Sequence, residues 1–167
     1  MYATMEKLQR VYNIYDIIYR QSKGNYMKKI LLYLVIAAVV VFALIQFIPF
    51  GHDHTNPPTV SEPAWSTPQA RALVKEHCFQ CHSNETEWPW YSNIAPGSWL
   101  IAFDVIEGRS KFNFSDWENN PGEVDEMVGE IQEGGMPPIQ YWAFHPNSRL
   151  NAQQKQELIQ ALQQSIK

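Results

Sequence analysis

Cysteine is scarce in this chain: 167 residues hold two, Cys78 and Cys81. A disulfide between them would close a small, strained loop. A zinc site would need two more ligands, and His52, His54, His77 and His145 offer no second paired motif. Strand patterns are also few. That weighs against a thioredoxin-type redox pair, which expects a strand before its C-x-x-C and a βαβ pattern around it. Basic charge is short downstream, where residues 57–167 carry seven Lys/Arg against fourteen Asp/Glu. An acidic balance argues against nucleic acid as a partner and suits docking to a basic patch. An ordinary solvated surface has the same composition.

The two cysteines lie in Cys78-Phe79-Gln80-Cys81-His82. C-x-x-C-H is the attachment signature of a c-type haem. Two thiols at this spacing add across the two vinyl groups on one porphyrin edge, and the adjacent histidine supplies an axial imidazole. One covalent haem c, held by Cys78 and Cys81 with His82 on the iron, is the expectation. Abundant aromatics, with six Trp, eight Tyr and eight Phe, suit a small fold around a flat apolar cofactor. They also suit a plain core.

Upstream, residues 1–29 read as a cytoplasmic segment. Met27-Lys28-Lys29 looks like a translation start, so residues 1–26 are either untranslated or a short cytoplasmic helix. Residues 30–50 are apolar apart from Gln46 and uncharged, long enough at about 20 residues to cross a bilayer. Lys28 and Lys29 precede this run and Asp53 follows, so the positive-inside rule exports the remainder. The run lacks a small-x-small cleavage site and a following lipoprotein cysteine, which favours an uncleaved signal anchor. The expected location is a bacterial cytoplasmic membrane, spanned once, with the haem domain facing the periplasm. Export and haem attachment agree, because c-type haems in bacteria are attached on that side.

Residues 51–67, with Pro57, Pro58 and Pro63, read as an extended linker of about 3 Å per residue, able to hold a domain some 40–50 Å from the bilayer. Residues 68–167 form the expected domain, mostly α. Thr67 and Pro68 fit an N-cap and first helical position. Ser98 can cap a helix over 99–107 that Gly108 stops. Ser115 and Glu118 have capping-box spacing. Val124, Met127, Val128 and Ile131 share a helical face, and a last helix starts at Asn151.

A low-spin haem needs a sixth ligand. Met136, in Gly134-Gly135-Met136-Pro137-Pro138, is the leading candidate, since it has no periodic apolar face to join. His145 is the competitor, and Met127 reads as core. Trp88, Trp90, Tyr91 and Trp99 are candidates for the haem crevice or for ordinary core. Arg109 is a candidate partner of a haem propionate, or an exposed arginine without one. The second ring nitrogen of His82 needs an acceptor, expected in the Pro89–Pro96 loop.

The blocks CFQCHSNETEWPWYSNIAPGSW, DVIEGRSKFNFSDW and GGMPPIQYWAFHPNSRL resemble a family of small exported monohaem "haem-binding domain" proteins, over most of residues 68–162. The resemblance implies Cys78 and Cys81 as attachment points, His82 as axial ligand, and the M-P-P turn as the place of the sixth. It implies a cytochrome c-like, all-α domain whose motif-bearing helix packs against the C-terminal one. The expected role is electron transfer between exported redox partners rather than catalysis. The alternative is a haem-based sensor or peroxidase-type accessory with a displaceable sixth ligand. Di-haem peroxidases need two attachment motifs, and this chain has one.

Overall fold

A computed structural model describes residues 2–166, which fall into two compact units, Met1–Ile48 and Pro49–Lys167. Six α-helices and two short 3-10 helices, Trp90–Asn93 and Pro146–Ser148, make up the regular structure of the described residues, with no strand beyond one isolated bridge, Ser61 to Asp116.

The first unit is helix α1, Tyr2–Ile45. Its stretch Asn25–Ile45, 21 residues, is apolar enough to cross a membrane, and none of it is buried within the structure. At 1.5 Å per residue it is about 30 Å long, the thickness of a hydrocarbon core. This apolar helical stretch begins and ends about five residues before the 30–50 expected of a span. Gln46, Phe47 and Ile48 close with i to i−3 bonds instead. Pro49 then ends the run, having no N–H and disfavouring helix in the residue before it.

The second unit is built from α2 (Pro68–His82), α3 (Gly97–Lys111), α4 (Val124–Glu133), α5 (Ile139–Phe144) and α6 (Ala152–Ser165). Helix α2 is central and packs on both α3 and α6. Thr67 starts it as expected, its hydroxyl accepting from the Ala70 N–H at 3.0 Å with Pro68 in the first turn. Val74 and Phe79 of α2, Phe114, and Leu158 and Leu162 of α6 are almost wholly enclosed. Each such side chain contributes about 1.5–3 kcal/mol. Asn151 and Gln154 form the reciprocal capping box that starts α6.

Three expectations fail for tertiary reasons. Ser98 does not cap α3, which starts at Gly97 after Pro96, and its hydroxyl is buried without a hydrogen-bond partner. Gly108 does not stop α3 but lies inside it, where a Cβ would stand 2.5 Å from the Cys81 carbonyl oxygen. The glycine is there to let α3 close on α2. Ser115 caps no helix; it is buried, and its hydroxyl accepts the Asn84 N–H at 3.0 Å.

Residues 51–67 also differ from the extended linker expected of them. They form a strap along the second unit. His54 stacks on Trp88 at 4.5 Å and bonds the Ser92 carbonyl. Asn56 donates to the Thr86 carbonyl, Asn84 to the Pro58 carbonyl, and Val60 to Ser115. Glu62 takes two bonds from Arg71, at 2.7 and 2.6 Å. Proline-rich composition did not reveal the carbonyl and amide partners waiting alongside.

Candidate functional site

In a helix, positions i, i+3 and i+4 share a face. Cys78, Cys81 and His82 therefore project from one side of the last turn of α2, and they open onto a cavity of about 570 Å³. That volume lies within the roughly 300–1,000 Å³ range of cofactor and small-molecule sites. Its walls come from α2, α3, α4, α5 and α6 and from the loops before α4 and α5, with apolar surface from Phe112, Phe114, Ile131 and Leu162.

The loop after His82 is fixed by buried polar bonds. Phe114 donates to the His82 carbonyl at 2.8 Å, Asn113 to the Asn84 side chain, and Ser83 to the Phe79 carbonyl. The His82 ring stacks on Phe112 at 4.0 Å and is 8% exposed. Burial holds its pKa below the usual histidine value, so the imidazole is neutral at physiological pH. The carbonyls of Gly108 and Phe112 flank the ring and oppose that shift. Neither reaches hydrogen-bond geometry with the enclosed Nδ1. These carbonyls, rather than the Pro89–Pro96 loop, stand where a second acceptor would be.

Both cysteines are free thiols. Burial pushes each up to about 12, reinforced for Cys78 by Cys81 and for Cys81 by Asp104. Among the described residues no three His, Cys, Asp or Glu side chains are grouped so as to hold a metal ion.

Met136 borders the same cavity, 38% exposed. Gly134 closes α4 in the left-handed region at φ +82, and the N–H of Met136 bonds the Glu130 carbonyl. His145 is not among the residues bordering the cavity. Its Nε2 meets the Tyr91 hydroxyl at 3.2 Å and its Nδ1 the Tyr141 carbonyl at 3.1 Å.

The remaining expected site residues stay outside the cavity wall. Trp88 faces His54, with its indole nitrogen enclosed and unpartnered. Tyr91 borders a small adjoining crevice with Leu100 and Phe144. The Trp99 indole nitrogen is likewise enclosed without a partner. Arg109 donates to the Ser83 carbonyl at 2.7 Å, Asn56 at 2.8 Å and Thr86 at 3.0 Å. The guanidinium thus ties the strap to the loop after His82.

Tyr141, Met127 and Gly129 are among the cavity residues that the sequence reading did not assign to the site. Tyr141 borders it from α5, and burial pushes its phenol up to about 12. Met127 is core and cavity wall at once. Gly129 lies in mid-α4 on the cavity, and a Cβ there would meet nothing within 4 Å. Glycine costs a helix interior about 1 kcal/mol relative to alanine. That cost was the one signal in the sequence that singled out this position.

A small helical domain that turns two thiols, a neutral imidazole and a thioether toward one apolar cavity is a cofactor-binding domain. The family model described as "Haem-binding domain" matches residues 40–164, and the chain belongs to that family. No curated protein and no solved structure matches it. The residues fit haem. The cavity is large enough, the imidazole is in its ligating form, and Gly129 leaves the α4 wall open to a flat group.

Proposed function

We propose that this haem-binding chain is a membrane-anchored monohaem c-type cytochrome that carries electrons between exported redox partners. One observation carries the reading: Cys78, Cys81, His82 and Met136 all border a single cavity. Cys78 and Cys81 would hold the haem covalently as thioethers, and His82 and Met136 would supply a nitrogen and a sulfur ligand to its iron. Bound there, haem supplies a one-electron Fe(III)/Fe(II) couple.

The chain's own groups set the conditions for that couple. Burial keeps His82 neutral and able to ligate. A methionine thioether paired with histidine on the iron would raise the potential relative to two histidines. Phe112, Phe114, Ile131 and Leu162 keep water from the cavity wall. Asp104, Glu107, Glu123, Glu126, Glu130 and Glu133 rim it against Lys111. That rim favours encounter with a basic redox protein. The α1 apolar stretch is the anchor, with Lys28 and Lys29 on the cytoplasmic side of a bacterial inner membrane and the haem domain in the periplasm.

The half-exposed Met136 favours a second reading. A ligand on an exposed loop can leave, giving a haem-based sensor or peroxidase-type accessory. Absorption spectra of the haem-loaded protein separate the two. The cytochrome predicts a six-coordinate low-spin spectrum with the near-infrared-edge band of Met-to-Fe(III) ligation. A five-coordinate spectrum that takes up CO readily overturns it in favour of the second.

A further inference from the structure

We propose that the outer face of α3, bearing Leu100, Phe103 and Ile106, rests on the lipid bilayer, so that the domain lies against the membrane surface. This rests on the reading of α1 as an anchor. All three side chains are exposed, as are Ile94 and Trp90 just upstream. Single exposed apolar residues are ordinary, but a cluster on one face marks an interaction surface. Leu100, Phe103 and Ile106 follow one another at three-residue steps along one side of the helix. The α3 residues that border the haem cavity are Asp104, Glu107, Gly108 and Lys111, so the apolar face lies beside the cavity.

The covalent path from the apolar helix identifies what covers this face. The helix ends at Ile45, and by Gly51 the chain is fixed to the domain. Gly51 has φ +81, and a Cβ there would stand 2.6 Å from the Ser98 carbonyl carbon and 3.1 Å from the Trp99 nitrogen. The strand of chain leaving the membrane is therefore pinned on the first turn of α3 itself. Six residue steps reach about 20 Å at full extension. With α1 across a bilayer, the start of α3 cannot leave its surface by more than that. Phe47, Ile48 and Phe50, within those steps, are also exposed and apolar. Tryptophan, phenylalanine and leucine side chains on a helix face enter the boundary between headgroups and acyl chains to about 5–10 Å. The bilayer is the apolar phase that the tether keeps in reach.

The test uses the full chain, loaded with haem, in lipid nanodiscs. A photoreactive benzophenone amino acid replaces Phe103, Val39 of α1, or Gln163 on the exposed side of α6. After illumination, mass spectrometry reads lipid adducts. The proposal predicts adducts at 39 and 103 and background at 163. Adducts at 39 but not 103 overturn it and leave the anchor intact. Absence at 39 overturns the anchor reading, and the proposal falls with it. Protein adducts alone at 103 make the face a protein docking site and also overturn it. With the probe moved to Leu100, Phe103→Asp with Ile106→Asp should abolish the lipid adduct while the haem spectrum is unchanged. An undiminished adduct contradicts the proposal.

Discussion

Cys78, Cys81 and His82 stand on a helix locked by its neighbours, whereas Met136 hangs from a loop between α4 and α5. On the α2 wall, His82 is 8% exposed, stacked on Phe112, and followed by a loop of buried polar bonds. On the other wall, Met136 is 38% exposed, and its backbone N–H bonds only the Glu130 carbonyl. The contrast suits a haem held permanently on one side and adjustably on the other. Under the proposed function, one side would decide whether the cofactor stays, and the other its potential and whether a small ligand can enter.

Breaking the rigid wall should have the largest effect. Gly108→Val drives side-chain atoms into the Cys81 backbone, and forced overpacking of this kind costs about 1–3 kcal/mol. Chemical denaturation should show that loss together with reduced haem content. Gly129→Leu separates the cofactor from the fold. It removes a helix-interior glycine, worth about 1 kcal/mol in propensity, and fills cavity space. Haem-free protein should be no less stable, while the haem-to-protein ratio falls sharply. A normal ratio would remove Gly129 from the haem site.

Met136→Ala probes the loose wall alone. The expected change is from a six- to a five-coordinate spectrum, with stability altered by no more than about 0.5 kcal/mol, as for other exposed sites. The smallest effect concerns the strap. Hydrogen bonds from Arg71 hold the Glu62 carboxyl below its ordinary value of 4.5. A depressed folded value gives stability that is complete above about pH 4.5 and lost as pH falls through the folded value. Glu62→Gln should flatten that acid dependence of the melting temperature, by an amount worth about 0.2–1 kcal/mol for a largely surface pair.

Local chemistry was legible in the sequence. The caps at Thr67 and Asn151 depend on neighbours within a turn, and the grouping of Cys78, Cys81 and His82 follows from helical period alone. Met136 stood out because Gly134, Gly135, Pro137 and Pro138 gave it no face to join. Long-range contacts were not legible. Gly108 has the same sequence signature whether it stops a helix or admits a neighbouring carbonyl. Trp88, Tyr91, Trp99 and Arg109 have the right chemistry for a haem crevice, yet Trp88 and Arg109 meet the strap and Tyr91 meets His145. Which surface an aromatic or guanidinium meets is fixed by packing between distant segments.

The central claim is that Cys78 and Cys81 fasten one haem. Intact-mass measurement of the denatured full chain, produced with the haem-attachment machinery, tests it most directly. The account predicts a single species at the chain mass plus one haem, reverting to the bare chain in Cys78→Ala with Cys81→Ala. A bare-chain mass for the native sequence, with haem released on denaturation, would contradict it.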